Sequence, residues 1–308
     1  MKIKHLLCFI ALCLFFTPGK AQQLSVMTLR NGATVYIWED KSKPDVFGMI
    51  AFKVGSVDDP EQYTGLAHYL EHVMFKGTQT IDALDWEKEK PIYEKIIAKY
   101  DERAALSDPA AREAIDKEIN DLTREAAQYA AGNEFSLLVD HMGGQGLNAS
   151  TGYDQTEYHN SFPPSQLEKW LEIYSERLID PVFRGFQTEL EAVYEEYNMY
   201  NDDRGSRMRE FIYEQAFGDH PYARPIIGLP EHLKNPQLSK LIDFYNTWYG
   251  PQNMSIILVG NIDAKEAIPM IRDKFERVPR RAEIHREKNP VRQFKGRTEK
   301  SAKIFYYP

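Results

Sequence analysis

The sequence predicts an α+β domain with a largely antiparallel sheet and helices packed on one face. Two observations carry that expectation. Segments with strand character come first, helical segments follow, and a strand–helix pair closes the order. The first two apolar runs are also split by Asn31-Gly32, a strong hairpin signal that makes the opening strands antiparallel neighbours. No internal repeat is visible.

The elements follow in order. Residues 24–29 and 33–38 form the predicted hairpin, and 46–54 reads as a third strand. Residues 65–75 have helical spacing. Residues 85–132 differ in texture, being dense in Lys, Glu, Ala and Asp. Sparse apolar residues recur there at helical intervals (Ile92, Ile96, Tyr100, then Ile115, Ile119, Leu122). Asp108 can cap and Pro109 suits a first helical position, so the stretch reads as a charged helical hairpin inserted into the domain. Residues 135–142 look helical and end at Gly143-Gly144; 146–151 and 156–162 look like paired strands. Helices are expected at 164–178, 186–200, 208–217 and 238–248. A buried strand at 254–259, closed by Gly260, leads to a helix at 264–275. Residues 279–300 are basic and linker-like, and 301–307 begins another strand. That strand, with no partner in view, reads as the opening of a truncated second domain, so the chain divides as 1–21, 22–278 and 279–308.

The first 21 residues read as a secretory signal. Lys2 and Lys4 precede an apolar run at 6–16, and Gly19-Lys20-Ala21 offers small residues where a signal peptidase reads. The alternative, an uncleaved membrane anchor, is opposed by the shortness of the run. The mature protein is therefore expected to be exported, to the periplasm or beyond the cell, with no transmembrane span. Cys8 and Cys13 both lie in this segment, so the mature chain can make no disulfide and no thiolate metal site. The net charge of -8 supplies no basic surplus for phosphates, which argues against nucleic acid as a partner.

Any metal must then be held by His, Asp or Glu, and one segment stands out. In His68-Tyr69-Leu70-Glu71-His72 the two imidazoles are four residues apart and share a helix face. Glu71 lies beside them without having to bind the ion. Leu66, Tyr69, Leu70 and Val73 fall on the packing face. Two imidazoles can hold zinc while leaving room for a third ligand and a water whose pKa falls to about 7, and a neighbouring carboxylate can take the proton of that water. The order inverts the more familiar His-Glu-x-x-His peptidase motif. A third ligand is needed, and the acidic helix at 189–196 offers Glu189, Glu195 and Glu196; Glu189 and Glu196 are two turns apart and share a face.

The segment from Gly65 to Thr78 resembles the active-site segment of the pitrilysin–insulinase family of zinc metallopeptidases. Asn148-Ala149 with Thr151, Asp154 and Tyr158, the acidic helix, His220-Pro221-Tyr222, Gly228-Leu229-Pro230-Glu231, and Tyr249-Gly250-Pro251-Gln252-Asn253-Met254 followed by Val259-Gly260-Asn261 are similar to further family segments. The resemblance runs from about residue 24 to about 278. It implies a domain like that of the mitochondrial processing peptidase and one Zn2+ per chain. It implies His68, His72 and Glu196 as ligands, with Glu195 the rival for the third place. Glu71 becomes the general base and Glu189 a residue holding a ligand in place. The interval from His72 to Glu196 is longer than is usual in the family, by about the length of the helical hairpin. Peptide substrates would add to the sheet edge near 146–151, with Asn148 and Ala149 as contacts. Family enzymes close over substrate with a related second half that supplies an Arg and a Tyr. Such a C-terminal half or partner subunit is expected here. The expected function is that of a zinc-dependent endopeptidase for extended peptides or unfolded polypeptides. The alternative is a non-catalytic scaffold or partner subunit of a paired peptidase.

Overall fold

β1 (Gln23–Thr28) and β2 (Thr34–Glu39) run antiparallel, joined through a turn in which Leu29 N–H donates to Ala33 O at 2.8 Å. Gly32 sits at φ +102°, with Gln252 so close that a Cβ would meet it at 3.1 Å. This is why the hairpin carries a glycine at that point. The structure, a computed structural model, describes residues 23–281 and 284. The expected signal at 1–21 and the expected strand at 301–307 lie outside the described residues, as does nearly all of the linker-like stretch.

β3 (Val46–Phe52), β4 (Gln145–Thr151), β5 (Thr156–Phe162) and β6 (Met254–Gly260) complete a six-stranded sheet of order β1-β2-β6-β3-β5-β4. All pairings are antiparallel except β2 with β6. The period-2 alternation is clean. Val46, Ile50, Phe52, Tyr158, Phe162, Ile256 and Leu258 are buried on one face, where the helices pack. Tyr36, Trp38 and Val259 are exposed on the other. A one-residue slip would exchange the two sets, so the register is fixed by burial. Gly48 leaves space for the Trp170 indole, which a Cβ would meet at 2.5 Å.

The helices are α1 (Leu66–Val73), α2 (Trp86–Ala105), α3 (Pro109–Ala126), α4 (Glu134–His141), α5 (Leu167–Glu176), α6 (Phe186–Asp202), α7 (Arg204–Phe217), the short α8 (Pro230–Leu233), α9 (Leu238–Trp248) and α10 (Ala264–Phe275). The architecture is the expected α+β arrangement. α2 and α3 form the charged pair, with the Asp108 carboxylate accepting from Ala111 N–H at 3.2 Å. Ile92, Ile96, Tyr100, Ile115 and Ile119 are buried, and the Tyr100 ring meets Phe186 of α6 at 4.7 Å. A buried fork from Arg184 to Glu89, at 2.6 and 2.7 Å, ties the pair to the approach of α6. One element starts earlier than expected. α7 begins at Arg204 rather than 208, because the Asp203 carboxylate caps it by accepting from Ser206 N–H at 2.7 Å.

Candidate metal centre

α1 is only eight residues long and cannot rely on its own propensity, so its neighbours must hold it in place. At its N-terminus the buried Asp59 carboxylate accepts from Gly65 N–H at 2.7 Å and Ala67 N–H at 2.9 Å. Gly65 is left-handed (φ +89°) and crosses Gly228 so closely that a Cβ on Gly228 would lie 2.6 Å from Thr64 O. Thr64 N–H also meets His232 Nδ1 at 3.2 Å. At the other end the buried Arg177 donates to Met74 O at 3.0 Å, with its guanidinium 4.4 to 4.8 Å from the rings of Phe75, Phe135 and Tyr158. The Asp59 carboxyl group thus caps the positive end of the helix, although burial raises its pKa to about 7, and a cation sits at the negative end. The Tyr69 hydroxyl donates to Phe186 O and pins α1 to the start of α6. Asp59→Ala should therefore cost about 2 kcal/mol of stability in urea unfolding, because it strands two buried backbone donors. A loss below about 0.5 kcal/mol would show that the cap is not structural.

Facing α6, this helix brings together donor atoms of His68, His72 and Glu196 that all lie within 4.8 Å of one another. Glu196 Oε2 is 3.6 Å from His68 Nε2 and 3.5 Å from His72 Nε2. Donors held about 2.1 Å from a tetrahedral ion are about 3.4 Å apart, so the two distances to Glu196 fit one. The chemistry fits as well. Two ring nitrogens and a carboxylate oxygen converge, and only a proton or a cation between them reconciles their lone pairs. Glu195 lies elsewhere: it lines a separate groove with Asp116, Glu191 and Tyr194, on the side facing the α2–α3 pair.

The electrostatics divide the two imidazoles. Burial and the neighbouring His72 push the His68 pKa down to about 4, against the pull of Glu196. Burial also opposes charge on His72, but hydrogen bonds to Glu189 and Glu196 outweigh it and raise its pKa to about 9. Glu196 is correspondingly held at about 2, chiefly by its hydrogen bond with His72. Of the two imidazoles, His72 is therefore the one that its carboxylate neighbours favour in the charged form.

Glu71 sits one residue from His72 and does not join the convergent set. Its carboxylate accepts from Thr151 Oγ1 at 2.6 Å, and burial raises its pKa despite that bond. Glu189 stands behind His72, with Oε2 3.5 Å from His72 Nδ1 and Oε1 2.5 Å from Lys76 Nζ. Thr151 and Lys76 lie in segments that stand out in the sequence, but nothing local to either residue gives its role.

A cleft of about 620 Å3 opens over these residues. One wall is β4, the sheet edge that pairs only with β5; it presents Asn148, Ala149 and Thr151. The opposite wall is α7 with the end of α6, presenting Tyr200, Ser206, Arg209 and Tyr213. The expected substrate edge at 146–151 lines this cleft, and the α7 wall was not anticipated from the sequence.

Comparison with known proteins bears on the chain as a whole. The model of the insulinase family, peptidase family M16, matches residues 34–90 and 122–229, more than half of the chain. This chain belongs to the insulinase family. Residues 237–308 match the description of the M16 inactive domain. The stretch that the first match passes over lies within the α2–α3 pair. Among relatives, the probable zinc protease PqqL of Escherichia coli is 25% identical over 270 residues, covering 84% of this chain and 23% of that protein. The zinc protease PqqE of Helicobacter pylori is 24% identical over 254 residues, covering 81% of this chain and 46% of that one. This family member thus spans less than half the length of either relative. The first half of the periplasmic protease PqqL of Escherichia coli superposes with a TM-score of 0.64 at 25% identity, covering 86% of this chain and 49% of that one. Pitrilysin gives 0.62 at 23%, covering 85% and 24%, which shows a shared fold. Among the described residues no helix is long and apolar enough to cross a membrane.

Proposed function

We propose that this chain is the N-terminal catalytic portion of a zinc endopeptidase, exported from the cytoplasm, that hydrolyses extended peptides or unfolded polypeptides. The observation that carries the proposal is the convergence of His68, His72 and Glu196 with Glu71 beside them. The donor set suits zinc, and the relatives are named zinc proteases. His68, His72 and Glu196 serve as the ligands, and Glu189 orients His72 through its other ring nitrogen. Zinc held by these residues would supply Lewis acidity and lower the pKa of a water at the site. Glu71, placed beside that position, would take the proton of the attacking water as the new C–O bond forms. It delivers the proton to the amine nitrogen as the C–N bond breaks. Burial fits Glu71 for this by raising its pKa, and Thr151 keeps the carboxylate aimed. The substrate lies along β4 as an added strand, contacting Asn148 and Ala149.

The relatives' greater length supports a related second half or partner subunit that closes the cleft. The test is a peptidase assay of the zinc-loaded chain with and without that half. The chain alone should bind zinc yet cleave slowly, and the second half should raise the rate on the order of 100-fold or more, the weight of one oxyanion-stabilising group. Full activity from the chain alone would refute the need for a partner. Absence of cleavage in both arms, with zinc bound, would favour the scaffold reading.

A further inference from the structure

We propose that the α7 wall of the cleft is a subsite for an acidic side chain of the substrate, with Arg209 as the residue that selects it. This deepens the peptidase reading and rests on it.

The first argument is the charge inventory of the cleft. Glu71, Glu196 and Glu210 line it. Glu196 belongs to the metal group, Glu71 is held by Thr151, and Glu210 has an interaction of its own. Arg209 is the sole guanidinium or ammonium group lining it among the described residues. Three other arginines of the domain are committed to structure. Arg177 caps α1 from within a cage of rings, Arg184 forks onto Glu89, and Arg103 pairs with Asp116 at 2.5 Å. The hydrogen bond made by Arg209 is long, 3.5 Å, to Ser206 Oγ one turn back on its own helix. A guanidinium has five N–H donors in a planar fork; this bond takes one of them, and the Asp203 carboxylate at the start of α7 lies within reach of the charge.

The second argument is the shape of the wall. Ser206, Arg209 and Tyr213 recur at intervals of three and four, which places them on one face of α7. Tyr213 stacks on Tyr153, rings 5.4 Å apart and 11° from parallel. Tyr153 belongs to the turn that joins β4 to β5, so the wall is fastened to the end of β4. Tyr153, Tyr200 and Tyr213 line the cleft together with Arg209, so the guanidinium shares this wall with three phenol rings.

A peptide extended along β4 sends alternate side chains to opposite sides. A Glu or Asp directed at α7 would place its stem against the rings and its carboxylate on the Arg209 fork, the geometry of a bidentate pair. A Lys or Arg in that position meets like charge, which builds discrimination by repulsion as well as by attraction.

The experiment uses the zinc-loaded protein, with its second half where cleavage requires it, and peptides that are identical except for Glu, Gln or Lys at one position flanking the cleavage site. The peptides are amidated at the C-terminus, so only side-chain carboxylates are read. The wild-type protein should favour Glu over Gln in kcat/KM on the order of tenfold at one position, with Lys poorest. Arg209→Gln should bring the Glu/Gln ratio close to one, and Arg209→Glu should make Lys the best of the three. Because each ratio is taken within one variant, a change in fold stability does not mimic the result. Efficient cleavage with no acidic preference, or a Glu/Gln ratio that survives Arg209→Gln, overturns the subsite and leaves the peptidase reading standing. Failure of the wild-type protein to cleave any peptide overturns both.

Discussion

Glu71→Gln is expected to retain one zinc per chain and to lose peptide hydrolysis by about 10²- to 10⁴-fold, the usual weight of a positioned general base. The substitution keeps the size and polarity of the side chain. Thr151 Oγ1, which now donates to Glu71 Oε2 at 2.6 Å, can donate equally to the amide oxygen, so the local packing should survive. The amide cannot accept a proton. Glu71 also lies outside the group whose donor atoms converge within 4.8 Å, so zinc content should not change. Elemental analysis and kcat measured on one preparation check both halves of the statement. An active Glu71→Gln variant would remove Glu71 from the role of base.

His68→Ala, His72→Ala and Glu196→Ala should each lower zinc affinity by more than about 100-fold, because even the groups that merely orient ligands are worth about 10- to 100-fold. The described residues offer three donors here, so the loss of one leaves two. Glu189→Ala should fall in the lower range, since it reaches His72 Nδ1 and Lys76 and stands behind the ligand. Glu195→Ala is the control. Its side chain lines the groove beside the α2–α3 pair, and its zinc affinity should equal that of the unmodified protein. Competition with a chelator of known affinity measures all five. Normal zinc binding by Glu196→Ala together with loss in Glu195→Ala would reverse the assignment of the third donor.

The parts of the fold that were legible in the sequence are those governed by local periodicity. β3, β5 and β6 alternate strictly between core and surface, and α10 begins and ends where its apolar spacing places it. The facing of His68 and His72 follows from their four-residue spacing, and that of Glu189 and Glu196 from two helical turns. What was illegible depends on contacts between distant segments. The parallel pairing of β2 with β6 joins residues more than 200 positions apart and leaves no local mark. The support of α1 by Asp59, Gly228 and Arg177 comes from three separate segments. The start of α7 was misplaced because Asp203 follows the end of α6 directly, and a cap without an intervening loop reads as one continuous polar stretch. The α7 wall of the cleft carries no motif, and its residues take on meaning only once Tyr213 is seen stacked on Tyr153.

The central claim is that His68, His72 and Glu196 hold a catalytic zinc. Anomalous diffraction recorded on either side of the zinc absorption edge, from crystals of the zinc-loaded protein, tests it most directly. The account predicts one strong peak per chain, about 2.0–2.2 Å from His68 Nε2, His72 Nε2 and a carboxylate oxygen of Glu196, with Glu71 outside the coordination sphere. A peak bound by Glu195, a peak away from α1, or no peak in protein that contains zinc would contradict it.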